Sequence, residues 1–110
     1  MVFDQVKFEI FIPCEYLIAL RDALHDVGAG KIGNYDHCLS VSEVSGFWRP
    51  LDGSEPFDGT IGAVSSGHEC KVEVICSSKI VENVIEAIKF VHPYEEPVFN
   101  IIPLLNSLYP

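Results

Sequence analysis

The chain has 110 residues, 48% of them hydrophobic, and a formal charge of −9 from sixteen carboxylates against seven basic side chains. That length suits one domain spanning residues 1–110 with a feasible packed core, and that charge makes a poor partner for phosphate backbones, so no nucleic-acid role is expected. No apolar run approaches the roughly 20 residues that cross a bilayer, and no basic patch leads into an apolar stretch at the N-terminus, so no membrane contact is expected and the cytoplasm is the expected location.

The first element is a strand. Val6, Phe8, Ile10 and Ile12 alternate with Gln5, Lys7 and Glu9, the period of a sheet with one buried face. After Pro13 a helix follows: Tyr16, Leu17, Leu20, Leu24 and Val27 recur at three- and four-residue spacing, with Arg21, Asp22, His25 and Asp26 on the other side and Gly28 as a C-terminal stop. "GKIGNYD" comes next. Its glycines follow a helix rather than lead into one, which makes a poor phosphate cradle and a good turn, with Asn34 helping. A second strand is expected over Asp36–Val44.

From Ser45 to Gly67 runs a long link rich in glycine and proline that carries Phe47, Trp48 and Phe57. Links of this size are often functional, and the three aromatics are expected to cover an open sheet face or meet a neighbouring subunit. Then the beginning repeats. At the constant offset that carries Lys7 onto Lys71, Glu9 meets Glu73, Ile10 meets Val74, Leu17 meets Val81, Leu20 meets Val84, Ala23 meets Ala87 and Leu24 meets Ile88, without a gap. The second unit is therefore a strand through Val72, Val74 and Cys76, and a helix through Ile80, Val81, Val84, Ile85, Ile88 and Val91. Ser77 or Ser78 caps this helix and Pro93 ends it. A last strand fits Pro97–Leu104.

The sum is β-α-β-β-α-β, an α+β fold of the ferredoxin-like plan. Right-handed crossovers place both helices on one face of a four-stranded antiparallel sheet. This topology puts Cys14, the long link and the corner "HPYEEP" at the end where the first strand finishes. It puts His37 and Cys38 at the other end, near Cys76, so His37 and His92 should not share a metal.

Chemistry is sparse. His92, Glu95 and Glu96 offer an imidazole and two carboxylates within five residues, a ligand type that zinc and copper accept. A divalent metal ion held by His92 and Glu96 is the one candidate cofactor, although the corner also reads simply as a helix end and a tight turn. No serine or cysteine has a base and an orienting group, so no catalytic residue is assigned and a non-enzymatic role is expected. The four cysteines lack C-x-x-C spacing, and without a secretory signal reduced thiols are expected.

"GAGKIGNYDHCLSVSEVSGFWRPLDGSEPFDGTIG", "CKVEVIC" and "VHPYEEPVFNIIPL" resemble the inserted domain of the NIF-three-like proteins, the YqfO-like branch, also labelled dinuclear metal-centre or GTP cyclohydrolase type 2-like. The proline corner is also similar to that of the CutA proteins. The resemblance implies a PII/CutA-like version of the fold and a homo-oligomer, by analogy a trimer. It carries over no metal ligand, because the family's dinuclear site belongs to two flanking lobes that this chain does not contain. The resulting expectation is a stand-alone, non-catalytic PII/CutA-like module that binds or senses a small ligand or divalent metal. His92, Tyr94, Glu95, Glu96, Asn34, Tyr35 and Asp36 are its ligand-binding candidates. Phe47, Trp48 and Phe57 are its interface candidates. One alternative is an interaction domain that docks onto a protein partner. Another is a small hydrolase of a nucleotide or phosphate ester, which rests on the family label alone.

Overall fold

The structure is a computed structural model that describes residues 3–110; Met1 and Val2 lie outside the described residues. Strand β1 (Gln5–Ile12) leads through a single 3-10 turn into helix α1 (Leu17–Asp26), and strands β2 (Ser40–Trp48) and β3 (Ser65–Ser77) follow. A second 3-10 turn opens helix α2 (Val81–Val91), and β4 (Val98–Pro103) closes the sheet. The strand order is β2-β3-β1-β4, and every pairing is antiparallel. This is the expected ferredoxin-like sheet.

The alternation in β1 becomes burial. Val6, Phe8, Ile10 and Ile12 turn inward, and their register partners Cys76, Val74, Val72 and Cys70 turn the same way. Leu20 and Leu24 of α1 and Val84 and Ile88 of α2 close over them, forming one core between the helices and the sheet. Burying each of these large side chains contributes roughly 1.5–3 kcal/mol. Helix α1 stops where expected. Gly28 takes φ +94°, its N–H reaches the His25 carbonyl, and the Ala29 N–H reaches Leu24. This left-handed cap satisfies two carbonyls of the last turn, and a side chain with a Cβ would resist it. Ser77 accepts from the Lys79 N–H at the start of the second helical segment, and Pro93 follows the end of α2.

Two boundaries differ from the sequence expectation. Strand β2 begins at Ser40 rather than Asp36 and continues to Trp48, and β3 begins at Ser65. The link therefore shrinks to residues 49–64. Glycine and serine weaken a strand signal, yet Val44↔Glu69, Gly46↔Gly67 and Trp48↔Ser65 pair in one continuous ladder. Strand β1 ends at Ile12↔Cys70, so Ser65–Glu69 pairs with β2 alone. The result is a two-stranded arm beyond the main sheet, in a molecule measuring 49 × 30 × 22 Å.

The cysteines also differ. Cys14, just past β1, and Cys70, opposite Ile12 on β3, form a disulfide with Cα atoms 5.0 Å apart. The expectation of four reduced thiols is corrected. The strand register brings two residues 56 positions apart to adjacent sites, which spacing in the chain does not reveal. Cys38 and Cys76 are free.

Candidate functional site

The proline corner sits where the topology predicts, at the end of β1. His92 is buried, 6% exposed. Its Nε2–H donates to the Phe11 carbonyl at 2.5 Å, and its Nδ1 accepts from the Tyr94 N–H at 3.2 Å. A carbonyl can only accept and an amide N–H can only donate, so these two contacts define a neutral imidazole protonated at Nε2. Burial pushes the His92 pKa below its ordinary value, against smaller upward effects of the Phe11 carbonyl and the Glu69 carboxylate. Both ring nitrogens are thus engaged with main chain. The expected His92–Glu96 metal pair is not assembled: His92 has no free lone pair, Glu96 is exposed, and the corner contains no group of three ligating side chains among the described residues. His92 instead ties the end of α2 to the end of β1.

Tyr94 and Glu95 hold the loop. The Glu55 N–H donates to Glu95 Oε2 at 2.8 Å. The Phe57 ring lies 5.9 Å from that of Tyr94 and meets Tyr16 edge-on at 6.2 Å. Trp48 donates its indole N–H to the Asp58 carbonyl at 2.9 Å. The Tyr94 phenol is pushed up to about 12, first by burial and then by the Glu69 charge and hydrogen bond. Residues 49–64 thus fold back onto the corner and enclose a groove of about 540 Å³. Its walls are largely apolar, from Phe11, Phe47, Trp48, Leu51, Phe57 and Val98, and its polar rim carries Asp58, Glu69, Glu95 and Glu96 against the single cation Arg49. That rim repels anions. No nucleophile paired with a base lines the groove.

The other predicted ligand residues stand elsewhere. Ile32 and Tyr35 exchange two backbone hydrogen bonds of 2.9 Å, which makes Gly33 and Asn34 the centre of a two-residue hairpin turn. Gly33 adopts φ +56°, as the first position of such a turn requires. Asn34 does not take up a left-handed conformation. The only non-glycine residue that does so among the described residues is His37, also at φ +56°. Asp36 accepts from His37 Nδ1–H at 2.8 Å. That bond holds the Asp36 carboxyl below its ordinary range, helped by the charges of His37, His25 and Lys31. This loop is anchored to β3 through the Gly30 N–H to the Ile75 carbonyl, beside Lys7. His92 contacts Phe11, four strand residues or about 13 Å further along β1. Asn34, Tyr35 and Asp36 therefore do not join His92, Tyr94, Glu95 and Glu96 in one site. The groove-lining role of Glu69 and the latch from Glu95 to Glu55 were missed by sequence reasoning, because both depend on the β2–β3 arm.

The β-α-β-β-α-β sheet with both helices on one face has the CutA/PII-like version of the ferredoxin-like fold. Among solved structures, CutA1 from Shewanella sp. SIB1 superposes with a TM-score of 0.71 at 15% identity, covering 96% of this chain and 85% of that one. GlnK from B. subtilis follows at 0.62 and 20% identity, covering 93% and 86%. The sequence is nearer to another group. The GTP cyclohydrolase 1 type 2 homolog of Bacillus subtilis is 40% identical over 98 residues, 89% of this chain and 26% of the relative. A Bacillus cereus protein related to NIF3 superposes at TM-score 0.82 and 34% identity, covering 96% of this chain and 27% of that one. No family model matches. The chain is a CutA/PII-like domain homologous to a region of the NIF3-related proteins, and it spans about a quarter of the length of the relatives it matches.

Proposed function

We propose that this chain is a non-catalytic, homo-oligomeric CutA/PII-like binding module whose ligand enters the groove between the arm, the loop 49–64 and the proline corner. The observation that carries the reading is the groove itself: an apolar recess of about 540 Å³ with a carboxylate rim, closed by a loop latched to Glu95. Apolar walls with a few placed polar groups are what small-ligand sites share. The rim selects against nucleotides and phosphate esters, and favours a small organic cation with an aromatic or aliphatic body, which aromatic walls also attract. The cyclohydrolase name belongs to proteins of which this chain matches about a quarter, and the groove offers no hydrolytic machinery to go with it.

Trp48 lines the groove and is the one tryptophan of the chain, so its emission reports occupancy. Titration with a panel of aromatic and aliphatic organic cations is expected to shift that emission, and Phe57→Ala is expected to weaken the response. ATP and inorganic phosphate are expected to have no effect. A groove that answers to ATP and not to cations would sink the electrostatic argument.

A second reading concerns assembly. Phe47 is 76% exposed on an arm that pairs with no further strand among the described residues. An exposed aromatic on a projecting two-stranded arm suits contact with a second copy, with Trp48 and Phe57 beside it. Native mass spectrometry is expected to find an oligomer that Phe47→Asp dissociates. A strictly monomeric chain at tens of micromolar would exclude it.

A further inference from the structure

At the opposite end of the molecule, the last turn of α1 and the loop before β2 bring three side chains together. The rings of His25 and His37 stack with centroids 3.8 Å apart and planes 18° from parallel. Asp36 accepts from His37 at 2.8 Å. One ligating atom from each of His25, Asp36 and His37 lies within 4.8 Å of the others. His25 is half-buried and the other two are exposed.

The local chain explains the meeting. The cap at Gly28 turns the backbone out of α1, the Gly30 N–H binds the Ile75 carbonyl, and the Cys38 N–H binds the Gly30 carbonyl at 2.8 Å. These bonds fold the loop back across the helix end. His37 completes the approach in the left-handed region at φ +56°, where few non-glycine residues are found and histidine is among those that tolerate it.

The geometry points to a divalent transition-metal site formed by His25, Asp36 and His37, selective for Zn²⁺, Cu²⁺ or Ni²⁺ over Mg²⁺ and Ca²⁺. Two imidazoles and a carboxylate match the borderline ions, whereas Mg²⁺ and Ca²⁺ prefer all-oxygen shells. Hydrogen bonding through Nδ1 leaves Nε2 of His37 free, with Asp36 able either to orient the ring or to ligate directly. Parallel rings direct their lone pairs side by side, so an ion must draw the imidazoles out of the stack until those lone pairs converge. The exposure of His37 permits that rotation. The site does not depend on the groove at the other end.

The test is calorimetric titration of chelator-treated protein with Zn²⁺, Cu²⁺, Ni²⁺ and Mg²⁺ at neutral pH. One ion per chain is expected for the first three, with micromolar affinity, and none for Mg²⁺. His25→Ala and His37→Asn are each expected to weaken binding at least about tenfold. Asparagine tolerates the left-handed backbone at position 37, so that variant should keep its fold, checked by far-UV circular dichroism. Cys38→Ser is expected to bind as the parent does, and electron paramagnetic resonance of the Cu²⁺ form is expected to show nitrogen coupling that falls in both histidine variants. No binding at millimolar ion, unchanged affinity in His37→Asn, or loss only in Cys38→Ser would each overturn the assignment.

Discussion

Glu9 and Glu73 stand directly opposite each other on the central pair of strands, and they are also the residues that the internal repeat maps onto one another. The pseudo-twofold axis of the fold therefore passes between two carboxylates. Like charges in this position repel. Lys7 and Lys71, themselves repeat equivalents, answer on the open sheet face: Lys7 Nζ lies 2.8 Å from Glu73 and 3.7 Å from Glu9, and Lys71 Nζ lies 3.4 Å from Glu9. Four charges around one axis cancel, and the approximate symmetry is kept without a clash.

This ladder predicts a salt- and pH-sensitive contribution. The hydrogen bond from Lys7, followed by its charge, pulls the Glu73 pKa down, and the hydrogen bond to Glu73 raises that of Lys7. The Glu73 part is therefore present above the ordinary glutamate value and lost as pH falls through the lowered one; the Lys7 part is lost as pH rises through the raised one. Lys7→Gln is expected to return the Glu73 titration upward, as read by carboxyl NMR shifts. It should also lower stability at low ionic strength, less so in high salt. A Glu73 titration unmoved by Lys7→Gln would show the contact is not formed in solution.

His92 is expected to matter for stability rather than for metal binding. His92→Ala leaves the Phe11 carbonyl and the Tyr94 N–H without their partner in a buried place, a loss of about 2–3 kcal/mol. Because the folded pKa lies below the ordinary value, the unfolded chain takes up the proton first. The stability from neutral His92 is complete above about pH 6.5 and declines as pH falls below it. Urea unfolding at pH 7.5 and pH 5 should show this slope in the parent, and a smaller slope in His92→Gln. Equal slopes would remove His92 as its source.

The Cys14–Cys70 bridge closes a long loop, and opening it is expected to lower stability by roughly 2–4 kcal/mol. Denaturant midpoints with and without reductant measure this, and the Cys14→Ser, Cys70→Ser double variant should match the reduced parent. Without reductant, thiol titration of the unfolded chain should count two thiols, Cys38 and Cys76. Counting four would mean that the bridge is absent.

Glu95 is expected to control the loop. Glu95→Ala removes the acceptor of the Glu55 N–H and should raise amide exchange across residues 49–64 while leaving β1 and β3 unchanged. Trp48 emission should shift toward that of an exposed indole. Glu96→Ala, at the exposed neighbour, is the control and should do neither.

Much of this was legible without coordinates. The alternation of Val6, Phe8, Ile10 and Ile12, the helical spacing of Leu17, Leu20 and Leu24, and their recurrence from Lys71 onward all express periods of two and 3.6 residues, which a single segment carries by itself. Gly28, Ser77 and Pro93 mark ends for equally local reasons. The β2–β3 arm was not legible, because glycine and serine hide a ladder that exists only once two segments pair. For the same reason the groove was foreseen as a neighbourhood, with His92 taken for a ligand.

By itself, then, the sequence determined the order of elements, the pseudo-twofold repeat and the faces that turn inward, since backbone periodicity and side-chain hydrophobicity act within short stretches. Tertiary structure alone decided that Cys14 pairs with Cys70, that both nitrogens of His92 are taken by main chain, and that His25 stacks on His37. Those are contacts across space, set by register and by the return path of a loop, and a linear string contains neither directly.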